Sequence, residues 1–441
     1  THMPRISLGP IQRALVVENP HESLDALLDG IGMEVHRVSG DAPDEDRLIE
    51  LLQQTRAQVV FKRSRVPVSR KVIEACPDLL AVQLCCIGDD SVDKQACADH
   101  GLVVFNDPIS NGRSVVELVV AHLISLSRRL YETDAECRLG TWNKTNVRRF
   151  EIRGKVLGVL GLGNIGRATA RVCEQLGMEI RFFDTREVAC EVGKEFGWTL
   201  CGSIDELFET SDCLTVHVSA RDVSLQSNAG LLSGGVLKKL GARRPDNSPR
   251  IFLNLSRGFL HSTDDLREAI ACGAVRRAAV DVYPSEPRGK GEAWVNPYGD
   301  LREVAVTPHL GASTQEAQPR IARRVTRTFG QFSHQGAFRD CVFAPRALLG
   351  LGDASRTCGA ILVVVHSDAR GTKRSIDDAI FEAGASNLSS VHRDFGEYGV
   401  AIDVAAIDAP LSEDQLRQLC DAAARLTGRD DAIRSIRQIA V

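Results

Sequence analysis

Short apolar runs alternate with segments of helical period along most of this chain, and this alternation constrains the fold more than any other feature. A first set of such runs is ALVV at 14–17, AQVVF at 57–61, LLAVQLCCIG at 79–88 and LVVFN at 102–106. A second set is found at 155–163, 179–184, 213–218, 250–255 and 278–282. Strands that alternate with helices form parallel sheets with crossover connections, and strands buried on both faces are apolar throughout. The sequence therefore predicts two α/β lobes.

Two other segments complete the predicted fold. Residues 115–138 have a helical period and predict one long helix. Past Pro345 the predicted elements are a strand at 360–366, a helix at 374–385, strands at 388–393 and 400–406, a helix at 413–426 and a strand at 433–439. This β-α-β-β-α-β order is typical of a ferredoxin-like domain. The predicted fold class is α/β, with two Rossmann-like or flavodoxin-like parallel-sheet lobes and a C-terminal ferredoxin-like domain.

Composition excludes several classes of function. The 54 basic and 58 acidic residues leave a net charge of -4, so nothing steers the chain toward nucleic acid or an anionic membrane. The most apolar stretch, 115–127, contains Glu117 and His122 and is shorter than the roughly 20 residues of a membrane helix. The 13 cysteines include no C-x-x-C pair, so neither a disulfide framework nor a zinc site is spaced correctly. With no signal-peptide pattern at the start, we expect a soluble cytoplasmic protein without a metal.

A glycine-rich segment at 161–166 predicts a dinucleotide site. It follows a predicted strand and opens a helix, and Asp184 ends the next strand. The first glycine permits a tight turn, the second lets the backbone approach a pyrophosphate, and the third lets helix and strand pack. The predicted cofactor contacts here are Gly161, Gly163, Asn164, Ile165, Gly166 and Asp184. Because Asp184 would bind the ribose hydroxyls and repel a 2′-phosphate, we expect the cofactor to be NAD and not NADP. Arg186 is the residue that could weaken this preference. The alternative is a structural turn that binds no nucleotide.

Three polar segments follow predicted strands and carry a family resemblance. They are NLSRG at 254–258, DVYPSEP at 281–287 and TPHLGAST at 307–314. Together with the glycine segment they resemble the D-2-hydroxyacid dehydrogenase family. GASTQEAQ at 311–318 and the C-terminal domain make the chain similar to the phosphoglycerate dehydrogenases of that family, from about Arg13 to Val441.

The resemblance implies catalytic roles for Arg257, Glu286 and His309. Oxidation of a 2-hydroxy acid requires a base for the hydroxyl proton, a cation for the carboxylate and a hydride acceptor. His309 is the natural acid/base near neutral pH, Glu286 would orient it and raise its pKa, and Arg257 would hold the carboxylate. Asp281 matches the family position that orients the nicotinamide. A buried histidine and surface ion pairs are the alternative interpretation of these residues.

Two further cofactor contacts are implied by the resemblance, at His217 and Val218. The segment 219–250 that follows them lacks the family's proline and is about ten residues longer than usual. The sequence therefore does not decide which residues of 219–250 contact the cofactor.

The N-terminal lobe carries the segments that resemble the family's phosphate-binding positions. The candidate substrate contacts are Arg63, Ser64, Arg65, Asn111 and Lys144, together with Arg257. A dianionic phosphate favours several cationic donors, and arginine offers them in fork geometry. The alternative is a solvated basic turn.

The resemblance implies a function with two alternatives. It implies NAD-dependent oxidation of 3-phospho-D-glycerate (3-phosphoglycerate) to 3-phosphohydroxypyruvate, the first step of phosphorylated L-serine biosynthesis. The alternatives are a dehydrogenase of another D-2-hydroxy acid, such as 2-hydroxyglutarate, and an NAD-sensing, corepressor-like binding protein. The implied domains are a discontinuous substrate domain at 10–112 and 305–345, an NAD domain at 113–304 and a regulatory domain at 355–441.

The C-terminal domain resembles an ACT domain, a module that binds serine in bacterial phosphoglycerate dehydrogenases. His366, Asp368 and Asn387 are the candidate effector residues. Asp368 stands where the family has asparagine and Arg370 where it has proline, so we expect weakened, absent or altered serine feedback. The resemblance also implies a homo-oligomer, a tetramer formed through paired ACT domains.

Overall fold

The computed structural model describes residues 3–222, 226–287, 291–343 and 348–441. The chain forms two compact units, one of Thr1–Pro108 with Gln318–Val441 and the other of Ile109–Ala317. Both contain parallel sheets with helices between the strands, which confirms the predicted α/β class. The three-domain division stays a prediction, and its boundary at 345 lies outside the described residues.

The elements in chain order are as follows. The strands are β1 (Arg5–Leu8), β2 (Arg13–Val16), β3 (Glu34–Arg37), β4 (Val59–Lys62), β5 (Ala81–Leu84), β6 (Val103–Phe105), β7 (Val156–Leu160), β8 (Glu179–Phe183), β9 (Thr199–Leu200), β10 (Cys213–Val216), β11 (Ile251–Asn254), β12 (Arg277–Val280), β13 (Val304–Val306), β14 (Ala360–Ser367), β15 (Asn387–Phe395), β16 (Val400–Ile407) and β17 (Ile433–Ala440). The helices are α1 (Ser23–Asp29), α2 (Glu45–Thr55), α3 (Arg70–Ala75), α4 (Lys94–Asp99), α5 (Gly112–Arg128), α6 (Leu130–Arg138), α7 (Asn164–Gln175), α8 (Glu187–Glu195), α9 (Ile204–Glu209), α10 (Gly234–Leu237), α11 (Thr263–Ala271), α12 (Ala317–Gln335), α13 (Thr372–Glu382) and α14 (Glu413–Thr427). Among the described residues, no helix combines the length and apolar character needed to cross a membrane.

The second unit is built on a seven-stranded parallel sheet in the order β13-β12-β11-β10-β7-β8-β9. Its central strands β7, β10, β11 and β12 are buried at every position. Apolar residues from alternate positions of these strands pack into two separate clusters, as expected when helices cover both faces. The apolar runs predicted as strands therefore form the centre of this unit.

The first unit contains two sheets. One is parallel, in the order β3-β2-β4-β5-β6, and the other is mixed, in the order β1-β17-β14-β16-β15. The mixed sheet and the helices α13 and α14 have the predicted β-α-β-β-α-β order. The strand β1 was not predicted: it joins the edge of this sheet by pairing parallel to β17.

The predicted single helix at 115–138 is wrong, because the structure divides it at Arg129. This residue has a φ of 58°, in the left-handed region, and separates α5 from α6. Its Nη2 donates to Glu132 at 2.6 Å, and the other carboxylate oxygen of Glu132 accepts from Arg277 at 2.8 Å. Since neither glycine nor proline marks the break, and Arg277 is distant in sequence, local sequence carries no signal for it.

Three arginines of the mixed sheet donate to carbonyl groups at the ends of helices in the same unit. Arg5 donates to carbonyls at and just after the end of α3, and Arg434 donates to one in α4. The buried Arg437 donates to two in the last turn of α12. The last carbonyls of a helix lack intrahelical partners and carry partial negative charge, so guanidinium groups satisfy them well. These contacts join the mixed sheet to the helices of the parallel one.

A glycine at this junction allows a close approach that a side chain would prevent. A Cβ at Gly101 would lie 2.6 Å from the backbone carbon of Arg434, and Gly101 also has a φ of 71°. We expect Gly101→Ala to cost roughly 2–5 kcal/mol, from left-handed strain and a packing clash. The matched control is Gly32→Ala, with a φ of 82° and open space around its Cβ, which should cost only roughly 1–2 kcal/mol. Urea unfolding midpoints compare the two, and equal shifts would contradict the role of the close approach.

Candidate active site at the carboxyl edge of the seven-stranded sheet

The last residues of six neighbouring strands lie in register, so the segments that follow these strands share one edge of the sheet. In strand order these last residues are Val306, Val280, Asn254, Val216, Leu160 and Phe183. The predicted cofactor and catalytic residues that follow them are His309, Glu286, Asp281, Arg257, Val218, His217, Gly161, Gly163 and Asp184. Open α/β sheets bind ligands at this carboxyl edge. The structure therefore brings these residues to one edge of one unit.

The glycine segment forms a tight loop between β7 and α7. Gly161 has a φ of 90°, and a Cβ there would lie 2.6 Å from the carbonyl oxygen of His217. A Cβ at Gly166 would lie 2.0 Å from the carbonyl oxygen of Gly161. Gly163 is the N-cap of α7, and, having no side chain, it leaves the start of the helix at Asn164 and Ile165 open to a close approach. The first turn of α7 thus presents backbone N–H groups in the manner of a phosphate site.

Asp184 lies beside this loop in a fork with Arg186. Nε and Nη2 of Arg186 donate to its two carboxylate oxygens at 3.0 and 2.7 Å, and the backbone N–H of Leu162 donates at 2.7 Å. Burial acts to raise the pKa of Asp184, but these hydrogen bonds prevail and the pKa is lowered. The carboxylate is therefore ionised near neutral pH, and a ribose diol would share it with Arg186.

His217 and Val218 border the glycine loop on its other side. Nε2 of His217 lies 2.9 Å from the hydroxyl of Thr215, and burial lowers the pKa of His217 to about 4. The carbonyl of Val218 accepts a hydrogen bond from Ser256 at 2.6 Å. The neutral imidazole suits a packing role beside the loop. Residues 223–225 of the long segment that follows lie outside the described residues.

His309 and Glu286 form a hydrogen-bonded pair. Nδ1 of His309 lies 2.8 Å from Oε2 of Glu286, and the side chains are 47% and 27% exposed. The other carboxylate oxygen of Glu286 accepts from the backbone N–H of Tyr283 at 3.1 Å. A carboxylate that holds Nδ1 of a histidine orients the ring and leaves Nε2 for proton exchange. The pair has the geometry of a general acid/base.

Asp281 holds the backbone turn that carries His309. It is fully buried, and Oδ1 accepts from the hydroxyl of Thr307 and the N–H of Leu310, both at 2.7 Å. Oδ2 accepts from the N–H of Gly311 at 2.9 Å. His309 itself has a φ of 55°, in the left-handed region that costs a non-glycine residue roughly 1–2 kcal/mol. The carboxylate thus bonds to groups on both sides of a strained residue and stabilises its conformation.

Arg257 follows β11 and lies next to the segment that carries Glu286. Its carbonyl accepts from the side-chain amide of Asn254 at 3.0 Å. A Cβ at Gly258 would lie 2.1 Å from the carbonyl group of Tyr283, so the two backbones touch there. The contact requires glycine after the arginine.

The predicted phosphate contacts are divided between the two units. Arg63, Ser64 and Arg65 follow β4 in the first unit, in a turn whose Ser64 and Arg65 are exposed. Asn111 and Lys144 belong to the second unit. Asn111 precedes α5 and is 8% exposed, and its side-chain oxygen has no hydrogen-bond partner within the described part of the chain. Lys144 is exposed.

The candidate effector residues lie at two opposite ends of the mixed sheet. His366 and Asp368 are at the carboxyl end of β14, whereas Asn387 begins β15 and pairs with Ile407, level with the start of β14. His366 is buried, stacks on His392 at 5.3 Å, and has its pKa lowered to about 4 by burial. Asp368 is exposed, and Asn387 donates to Asp377 at 3.3 Å. No sequence motif marks His392 and Asp377, the partners of His366 and Asn387.

Two charged pairs inside the first unit were not predicted from the sequence. Lys373 donates to the fully buried Asp403 at 3.2 Å, and burial raises the pKa of Asp403. The equally buried Lys62 lies 3.8 Å from Glu18. A lysine inside an apolar strand, as in VVFK, and an aspartate inside VAIDVAAI are the signals that mark them.

Comparison with known proteins gives a consistent result. Residues 120–311 match the family model for the NAD-binding domain of D-isomer specific 2-hydroxyacid dehydrogenases. D-3-phosphoglycerate dehydrogenase of Haemophilus influenzae is 31% identical over 396 residues, which cover 90% of this chain and 92% of that protein. The Escherichia coli enzyme of the same name is 31% identical over 419 residues, covering 95% and 97%.

The fold is similar to that of a glyoxylate reductase from Paecilomyes thermophila. The TM-score is 0.64 at 21% identity, and the match covers 76% of this chain and 98% of that chain. This likeness concerns the fold alone.

The turn that carries His309 should loosen when the buried carboxylate becomes an amide. In Asp281→Asn one acceptor oxygen is replaced by an NH₂ group that cannot accept from a backbone N–H. The loss of one charge-assisted bond, roughly 1.5–3 kcal/mol, should speed solvent exchange of the Leu310 and Gly311 amides by roughly 10- to 100-fold. Hydrogen exchange measured by mass spectrometry checks this, with the exposed Asp300→Asn as control. Unchanged exchange in Asp281→Asn would refute the holding role.

Proposed function

The chain belongs to the D-2-hydroxyacid dehydrogenase family, as a relative of its D-3-phosphoglycerate dehydrogenases, and we propose that it oxidises 3-phospho-D-glycerate to 3-phosphohydroxypyruvate with NAD. This reaction is the first step of phosphorylated L-serine biosynthesis. The observation that carries the proposal is the 2.8 Å pair of His309 and Glu286 on the same sheet edge as Arg257 and the glycine loop.

The residues at this edge fit NAD. A Cβ at Gly161 or Gly166 would clash with the backbone of this tight loop, whereas the position of a Cβ at Gly163 is open, and the first turn of α7 suits a pyrophosphate. Asp184 suits the ribose hydroxyls, and its negative charge disfavours a 2′-phosphate. NAD supplies the acceptor of the hydride in the oxidation.

The chain's own residues bind the acid and move the proton. Arg257 holds the substrate carboxylate in its planar guanidinium fork. Nε2 of His309 takes the proton of the 2-hydroxyl group as the C2 hydrogen departs as hydride, which leaves a carbonyl. Glu286 stabilises the imidazolium that results, because its carboxylate is already bonded to Nδ1. In the reverse direction His309 returns the proton to the alkoxide.

The phosphate of the substrate is bound by cationic side chains of the first unit. Arg63 and Arg65, with Ser64 between them, lie on an accessible turn after β4, and two guanidinium groups match a dianion in charge and geometry. Asn111 and Lys144 complete the proposed set. A substrate without a phosphate or a second carboxylate would have no anionic group for Arg63 and Arg65 to bind.

The wider organisation is proposed as follows. Residues 10–112 with 305–345 bind the acid, 113–304 bind NAD, and 355–441 form the regulatory domain. A tetramer is supported by α6, which buries no residue, and by β15, an edge strand with mostly exposed residues. A cytoplasmic location is supported by the cysteines, most of which are buried in the cores, as Cys85, Cys97 and Cys213 are.

A panel of D-2-hydroxy acids tests the proposed reaction through NADH absorbance. We expect 3-phosphoglycerate to be oxidised best. His309→Ala should lower kcat roughly 10²- to 10⁴-fold, because the proton acceptor is lost. Arg65→Ala should instead raise KM for 3-phosphoglycerate roughly 10-fold or more, with little effect on D-glycerate.

The exposed Arg47→Ala is the control and should match the unmodified enzyme. Equal losses on both acids in Arg65→Ala would refute the phosphate contact. Inactivity on the whole panel, with NAD binding retained, would refute the proposed reaction and favour a cofactor-sensing binding protein.

Serine feedback should be weak in this chain. The exposed carboxylate of Asp368 repels the serine carboxylate where an asparagine would donate to it, with Arg370 as the nearest compensating residue in sequence. Initial rates should change little across a serine titration, and Asp368→Asn should restore some sensitivity. Strong inhibition of the unmodified enzyme at micromolar serine would overturn this expectation.

A further inference from the structure

A buried ion pair lies beneath the turn that carries Arg63 and Arg65. Glu18 follows β2 and Lys62 ends β4, two strands that are neighbours in the parallel sheet. Their side chains are 4% and 0% exposed, and Nζ of Lys62 lies 3.8 Å from Oε2 of Glu18. Charges this deeply buried are retained only when they are well paired and hydrogen-bonded. We therefore expect Glu18 and Lys62 to have a specific structural role at the ends of β2 and β4.

Both charged groups bond to the backbone of the turn. Oε2 of Glu18 accepts from the N–H of Arg63 at 2.9 Å, and Oε1 accepts from the N–H of Arg65 at 2.7 Å. Nζ of Lys62 donates to the carbonyl of Arg63 and to the hydroxyl of Ser91, both at 2.7 Å. One carboxylate thus bridges two amides of the turn, and one ammonium holds the carbonyl between them.

The backbone around Glu18 is strained in a way that fits this bridging role. Glu18 and Asn19 have φ values of 65° and 49°, in the left-handed region that side chains rarely adopt. The side-chain amide of Asn19 donates to the carbonyl of Gly40 at 2.8 Å, which holds the following residue. Strained residues persist where the surrounding contacts over-determine them, and they cluster at functional sites.

The direction of the two amides decides how the turn can bind an anion. Because the N–H groups of Arg63 and Arg65 point to Glu18, they are engaged with a carboxylate and a phosphate would not displace it. An anion at this turn is therefore recognised by the guanidinium side chains, whose starting positions depend on the backbone that Glu18 holds.

We propose that Glu18, supported by Lys62, is a positioning residue that directs Arg63 and Arg65 toward the phosphate of the substrate and so sets the preference for a phosphorylated acid. Glu18 touches neither substrate nor cofactor and acts through the turn. The proposal rests on the proposed function, in which these two arginines bind the phosphate.

The main test is the substrate preference of Glu18→Gln. The amide keeps one acceptor oxygen but presents NH₂ to the second backbone N–H, so one end of the turn is released. We expect KM for 3-phosphoglycerate to rise roughly 10-fold, with kcat within about threefold and KM for NAD unchanged. The ratio of kcat/KM for 3-phosphoglycerate to that for D-glycerate should fall by the same factor. Glu34→Gln, an exposed glutamate on the neighbouring strand β3, is the matched control and should leave the ratio unchanged.

Because Glu18→Gln could fail to fold, a second variant that retains the buried charge is included. Glu18→Asp keeps the charge next to Lys62 but is one methylene shorter, so it cannot bridge both amides. It should show the same loss of preference with a smaller loss of thermal stability. A KM that rises equally for both acids in the two variants, or a change in stability alone, would overturn the proposal.

A variant that lacks both arginines separates this proposal from the proposed function. If Glu18 acts through the turn, adding Glu18→Gln to Arg63→Ala/Arg65→Ala should cause no further loss of preference. A further loss of equal size would overturn the positioning role. If Arg63→Ala/Arg65→Ala itself keeps the preference, the proposed phosphate contacts fail, whereas a loss there without a loss in Glu18→Gln refutes only the role of Glu18.

Discussion

Parallel pairing in register is the constraint on which the candidate site depends. Every strand of the seven-stranded sheet runs in the same direction, so every chain segment that leaves a strand at its carboxyl end emerges at one edge. The glycine loop, Asp184, Arg257 and His309 are far apart in sequence but become neighbours along that edge. The central strands of this sheet are largely apolar and buried at every position, so the residues that could carry chemistry are those that follow the strands.

Buried carboxylates at strand ends accept hydrogen bonds from backbone N–H groups in both units. Asp281 bonds to the turn of His309, Glu18 to the turn after β4, and Asp184 to the glycine loop. Asp212, just before β10, accepts from the N–H of Val156 at 2.8 Å and from Arg244 at 2.9 Å. A carboxylate offers two oxygens in a fixed plane, so one side chain can fix two backbone groups whose conformation the local sequence does not favour.

Much of the fold was predictable because its signals are local. The central strands consist mostly of continuous apolar residues, as in VLGVL and IFLN, and the predicted order of elements after 360 is the order found in the mixed sheet and its two helices. The glycine spacing also predicts the loop between β7 and α7, since each glycine has a steric reason that the structure displays.

The features that were not predicted depend on contacts distant in sequence. At the helix break, Glu132 binds the distant Arg277 as well as Arg129, and β1 is a strand that pairs with the distant β17. The residues of the candidate site that follow strands were found by their type and family pattern, but the groups that hold them were not. Glu18 is in a different segment from the turn it holds, and no local periodicity marks such a pairing.

The two anion sites that this chain is proposed to contain use opposite solutions. At the glycine loop a pyrophosphate would lie against backbone N–H groups at the start of α7, where the N-cap residue is Gly163. At the turn after β4 the corresponding groups are bonded to Glu18, which leaves recognition to guanidinium side chains. Backbone amides are present whatever the side chain, so the first solution suits a pyrophosphate, which NAD and NADP both contain. Side chains can be exchanged one at a time, so the second suits recognition of one particular substrate. A nearly neutral chain can in this way remain selective for one small anion, because the cations that bind it are held locally and the carboxylate that positions them is buried.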